Sequence, residues 1–128
     1  MGQISIYVST LTTFDAQDRQ DRTMEWIKVA SAQELSNDEA KTVNVAGQGV
    51  ALFRIEDEFF ATDGMCTHAT ALLSEGYVED GCVECPLHQG RFDIRTGKAM
   101  CAPVTVDLRT HPVKREGDDI YVLSPQAQ

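Results

Sequence analysis

Along this chain apolar residues alternate with polar ones over short runs, and no long stretch carries helical spacing. Trp26, Ile27 and Val29 predict a first strand, followed by a short helical turn at Ser31-Ala32-Gln33-Glu34-Leu35 with Ser31 as its cap. Val43 and Val45 alternate ahead of a turn at Gly47-Gln48-Gly49. Val50 to Glu56 pairs with Phe59 to Thr62 across Asp57-Glu58, a hairpin that carries the chain to Cys66. Farther on, Val104 to Leu108 alternates and Val113 is a lone apolar position. Gly117-Asp118-Asp119 then precedes a last strand, Ile120 to Leu123. Many short strands with regular turn signals predict an all-β fold, a small sandwich or barrel. Upstream, Ile4, Ile6 and Val8 alternate as a short strand would, and Thr12 to Arg22 is mostly polar and reads as a loop or tail. Gly47-Gln48-Gly49 is not a dinucleotide fingerprint, since it lacks a third glycine and no helix pattern follows it.

Length and charge narrow the function. The 128 residues make one domain, large enough to bury a modest core. A net charge of −9 and a pI near 4.6 argue against nucleic acid, which rewards basic patches, and against an anionic membrane surface. An acidic face suits docking to basic partners. No run approaches the ~18 apolar residues of a membrane span. The start, Met1-Gly2-Gln3-Ile4-Ser5, lacks the regions of a signal peptide, so the expected location is the cytoplasm. In that reducing compartment the cysteines are metal ligands or bystanders and not a disulfide framework.

The chemistry concentrates between Cys66 and His88. Cys66-Thr67-His68 is followed, sixteen residues later, by Cys85-Pro86-Leu87-His88. Each half supplies one thiolate and one imidazole. Thiolate suits iron–sulfur clusters and zinc, and imidazole suits zinc, copper and iron. The order Cys-x-His, then Cys-x-x-His, differs from the zinc-finger layout of a cysteine pair before a histidine pair. It fits a two-iron cluster with one iron on two cysteines and the other on two histidines. A Cys₂His₂ structural zinc site is the alternative use of the same donors.

These ligand pairs, together with Gln89-Gly90-Arg91-Phe92-Asp93 and Thr96-Gly97, resemble a Rieske-type [2Fe–2S] ferredoxin. The resemblance is to the ferredoxin components of bacterial aromatic-ring-hydroxylating dioxygenase systems. It implies a Rieske-type small antiparallel β-sandwich or barrel with a cluster-binding subdomain of two loops. That domain would span residues 24–124, after an extension at 1–23 and before a short tail at 125–128. It implies Cys66 and Cys85 as thiolate ligands, His68 and His88 as imidazole ligands, and histidine edges near solvent where electrons enter and leave. Leu87, Ala69 and Leu72 would shield the cluster, and Pro103 would begin a third loop over it. The implied partners are a flavin-dependent ferredoxin reductase and a terminal oxygenase, served by a monomeric electron carrier that is not itself an enzyme. High-potential relatives carry an extra cysteine in each loop. Here Ala71 and Leu87 stand in those places, which implies the lower end of the Rieske range. The small Rieske subunit of a reductase, such as a nitrite reductase, is the other reading within the family.

The remaining candidates have plainer expectations. Cys82 and Cys101 read as small buried residues. His111 reads as a surface or strand-end histidine, since the ligand set is complete without it and one histidine cannot build a facial triad. Trp26, Phe53, Phe59, Phe60 and Phe92 read as core. Glu79, Asp80 and the acids of Glu116 to Asp119 read as solvated turns.

Overall fold

The computed structural model describes residues 25–67, 70–87, 89–102 and 104–125. The expected strand at Ile4, Ile6 and Val8 and the polar stretch after it lie outside these residues, as do His68, Ala69, His88 and Pro103.

The chain enters through β1 (Trp26–Ser31) and a single 3₁₀ turn (Ala32–Glu34). Ser31 caps that turn as expected. Its hydroxyl accepts from the Gln33 amide at 3.4 Å, and the Glu34 carboxylate accepts from the Ser31 amide at 2.9 Å. Two otherwise orphaned donors are satisfied reciprocally. Then come β2 (Glu39–Val45), β3 (Gln48–Ile55) and β4 (Glu58–Asp63). The turn between β2 and β3 is Ala46-Gly47, with φ of 55° and 88°, the doubly left-handed pair that matches strand twist in a two-residue hairpin. It lies one residue earlier than the glycine pattern implied, and Gly49 belongs to β3. The next turn is likewise Glu56-Asp57, with Glu58 already in the strand opposite Ile55.

Between the two cysteine loops the structure places what the alternation did not announce. This is a meander of three-residue strands, β5 (Tyr77–Glu79), β6 (Cys82–Glu84), β7 (Arg91–Asp93) and β8 (Ala99–Cys101). Its inner row runs Val78, Val83, Phe92 and Ala99 across the ladder. The chain closes with β9 (Thr110–His111), β10 (Val113–Glu116) and β11 (Asp119–Leu123). Three antiparallel sheets result, ordered β9-β4-β3-β2, β10-β11-β1 and β5-β6-β7-β8. The architecture is therefore nearly all-β and antiparallel, as expected. Val104 to Leu108 is not a strand. Its polar groups go elsewhere: the Leu108 amide to Gly97 O at 2.7 Å, and Val106 O to the Thr67 hydroxyl at 2.8 Å. Val113 is not isolated, since it starts β10 opposite Val122.

Two apolar clusters fill the fold. The first gathers Leu35, Val43, Val45, Val50, Leu52, Ile120 and Val122. The second gathers Phe53, Leu73, Val83, Phe92, Ile94, Val104 and Leu108 around Cys66 and Cys85. Strand β3 serves both, sending Val50 and Leu52 to the first and Ala51, Phe53 and Ile55 to the second. Phe53 and Phe92 are fully buried and Phe59 nearly so. Phe60 and Trp26 are only half-buried, the latter with Lys114 Nζ 4.9 Å from its ring centre. Among the described residues no helix is long and apolar enough to cross a bilayer.

Gly97 pins the second cluster. It sits at φ 79°, and a Cβ there would overlap the carbonyl oxygen of Leu108. Both the dihedral and the close approach demand glycine. Gly97→Ala is expected to cost about 2–4 kcal/mol in denaturant unfolding, because strain and overpacking act together. An unchanged midpoint would show that the 104–109 segment yields freely.

Candidate metal centre

Loop 1 leaves β4 at Asp63 and returns through Leu72 to a 3₁₀ turn at Leu73–Glu75. Its root is closed by backbone bonds from Gly64 N to Gly49 O at 3.2 Å and from Leu73 N to Gly64 O at 2.9 Å. Inside it, Cys66 N donates to Ala71 O at 3.0 Å, and Met65 bridges Leu72. Loop 2 runs from Cys85 to Gly90 between β6 and β7 and is closed by Cys85 N donating to Gly90 O at 2.7 Å. Gly90 packs beneath the Val104 methyl groups. The Thr67 bond to Val106 O ties loop 1 to the segment that follows β8.

These closures bring Cys66 and Cys85 together inside the second apolar cluster, at 5% and 0% exposure. Both are free thiols, within hydrogen-bond reach of each other. Burial pushes the Cys85 thiol up. The Leu87 amide, donating to its sulfur, pulls it back, and the bond to Cys66 pushes it up again. Met65 and Leu87, each 45% exposed, and Leu72 are apolar side chains left open to the surface in the two loops. Leu72 and Leu87 are thus partly open, and not fully closed over the site. His68 and His88 lie outside the described residues.

Two sequence expectations fail here. Cys82 is half-buried and Cys101 exposed, because both sit on the meander face opposite the row of Val83 and Phe92. His111 is not a surface residue. Its side chain is fully buried, with Nε2 2.8 Å from Asp63 Oδ1, an oxygen that also accepts from Gln48 Nε2 at 3.0 Å. The carboxylate at the root of loop 1 is thereby tied to two other strands. No sequence signal marked this, since the burial arises from the cross-strand pairing of His111 with Ala61.

A pair of buried, adjacent thiols that form no disulfide is a donor set for a soft metal ion. It fits the two-thiolate end of a [2Fe–2S] cluster. Residues 25–112 match the family described as Rieske [2Fe-2S] domain. The chain belongs to the Rieske [2Fe–2S] family. The ferredoxin component of the naphthalene 1,2-dioxygenase system of Pseudomonas putida is 48% identical over 94 residues, 73% of this chain and 90% of that protein. The anthranilate 1,2-dioxygenase ferredoxin subunit of Burkholderia cepacia is 54% identical over 91 residues, 70% of this chain and 83% of that one. A solved complex of reduced oxygenase and oxidized ferredoxin in carbazole 1,9a-dioxygenase contains a chain that superposes with a TM-score of 0.73 at 36% identity. The match covers 77% of this Rieske chain and 92% of the other. The cofactor is therefore a Rieske-type [2Fe–2S] cluster, and the zinc reading falls away. Among Rieske proteins the ferredoxin reading is favoured over the reductase subunit.

Proposed function

We propose that this Rieske ferredoxin carries single electrons from a flavin-dependent ferredoxin reductase to the terminal oxygenase of a multicomponent aromatic-ring dioxygenase. Cys66 and Cys85 are its thiolate ligands and His68 and His88 its imidazole ligands. The observation that carries the reading is the meeting of Cys66 and Cys85 in one buried, unbridged pair, each followed within three residues by a histidine. When bound, a cluster of this kind supplies a one-electron couple between about −150 and +300 mV.

The chain's own residues then have definite tasks. Phe92, Leu73 and Val83 keep water from the thiolate end. The Leu87 amide is already aimed at the Cys85 sulfur and favours its thiolate form. Thr67 holds the first loop against the Val106 carbonyl. Small, brief docking suits a carrier that must release each partner. The relatives named above are components of dioxygenase systems, and a related ferredoxin occurs in a complex with its oxygenase. In this reading the carrier works in the cytoplasm as a monomer.

Visible absorption and low-temperature EPR before and after dithionite test the proposal. The expected result is a red-brown protein that bleaches and gains a rhombic signal. A colourless protein that contains zinc without iron or sulfide overturns it.

A further inference from the structure

Arg91 opens β7 directly after Gly90, whose carbonyl oxygen closes loop 2 on the Cys85 amide. Across the ladder it faces Glu84, the residue before Cys85, and on its other side Cys101. Opposed Cα atoms in an antiparallel pair lie about 4.5–5.5 Å apart. Arg91 thus stands one cross-strand step and one residue from a buried thiol. Phe92 turns into the second cluster, and Arg91 takes the other face of the sheet, half-buried.

Arg91 Nε is fully buried, and it is the one buried side-chain nitrogen or oxygen among the described residues that has no hydrogen-bond partner. Glu84 sits opposite, yet none of the ion pairs among the described residues includes Arg91. Of the other described arginines, Arg54 pairs with Asp57, Arg95 with Glu58 and Arg115 with Asp118, and Arg109 donates to the Pro125 carbonyl. A guanidinium cannot shed its proton to escape burial. Its charge therefore stays, with no carboxylate among the described residues bound to it, on a half-buried side chain whose backbone adjoins the loop that begins at Cys85. A charge in that setting is felt more strongly and screened less by salt than one in open water. A cation favours whichever state of a neighbouring centre is more negative, and here that is the reduced state.

We propose that Arg91 is a potential-setting residue, whose charge draws the redox equilibrium of the adjacent centre toward the reduced form. The inference rests on the ferredoxin reading above and adds a residue that the ligand motif does not contain.

The experiment is an EPR-monitored redox titration of the purified holoprotein, at low and high ionic strength, for the parent, Arg91→Met, Arg91→Gln and Arg91→Lys. Methionine keeps an unbranched stem without charge, glutamine is a second neutral side chain should methionine load poorly, and lysine keeps the charge. The neutral variants are expected to shift the equilibrium about threefold to tenfold toward the oxidised form, tenfold being about 59 mV. Arg91→Lys should stay near the parent, and raising the salt should narrow the gap only slightly. Potentials equal to the parent's in both neutral variants overturn the inference. So does an equal fall in Arg91→Lys, which would trace the effect to packing and not to charge. A parent that shows no Rieske-type signal overturns the ferredoxin reading itself, a result distinct from either.

Discussion

Serine in place of Cys85 is expected to give a colourless protein. The position is wholly buried, its sulfur meets Cys66, and its neighbours are Val83, Phe92 and Ile94. A thiolate is the ligand that iron–sulfur chemistry requires, and a serine hydroxyl is both harder and far more reluctant to ionise. Iron and sulfide content should fall to background, and the visible bands should vanish. Cys82→Ser and Cys101→Ser are the internal controls. Both positions open onto the far face of the meander, so their variants should keep full colour. A Cys85→Ser protein with the parent's iron, sulfide and spectrum would remove Cys85 from the ligand set.

The second large effect belongs to His88→Cys. A third thiolate adds negative charge to the centre and makes the next electron harder to accept. Rieske centres span about −150 to +300 mV, and all-cysteine plant-type ferredoxins lie near −400 mV, so a fall of roughly 250 mV or more is expected if iron is retained. Redox titration reads it directly. A potential unchanged from the parent would show that His88 does not touch the iron. Cys85→Ser and His88→Cys thus probe the proposed thiolate and imidazole ends of the centre separately, one by loss of colour and the other by a displaced midpoint.

What could be read from the chain, and what could not, divides along physical lines. The hairpins of β2, β3 and β4 were legible because their strands are long enough to show alternation. Even so, both turns fall one residue early, since Ala46 and Glu56 adopt left-handed backbone that neither residue type signals. The capping of the 3₁₀ turn by Ser31 was legible because it is local. The meander was not, because three-residue strands carry one inward side chain each, and one side chain has no period. The alternation of Val104 to Leu108 misled for the opposite reason. Two buried residues at its ends pack under loop 2 and Gly97 without any ladder between them. At the metal centre, the pairing of Cys66 with Cys85 followed from the motif. The burial of His111 against Asp63 and the orphaned donor of Arg91 depend on cross-strand neighbours far apart in sequence.

Strand β3 gives the molecule an unequal kind of modularity. Its odd positions, Ala51, Phe53 and Ile55, are the wall of the cluster-bearing half, and its even ones, Val50 and Leu52, the wall of the base. The two loops and their meander therefore cannot be lifted out as a cassette, because part of their lining is written into a strand that belongs to the other half. A graft onto a foreign sheet would have to carry those three residues with it, in the same register. Variation within the base is correspondingly freer wherever it leaves the outward rhythm of that one strand intact.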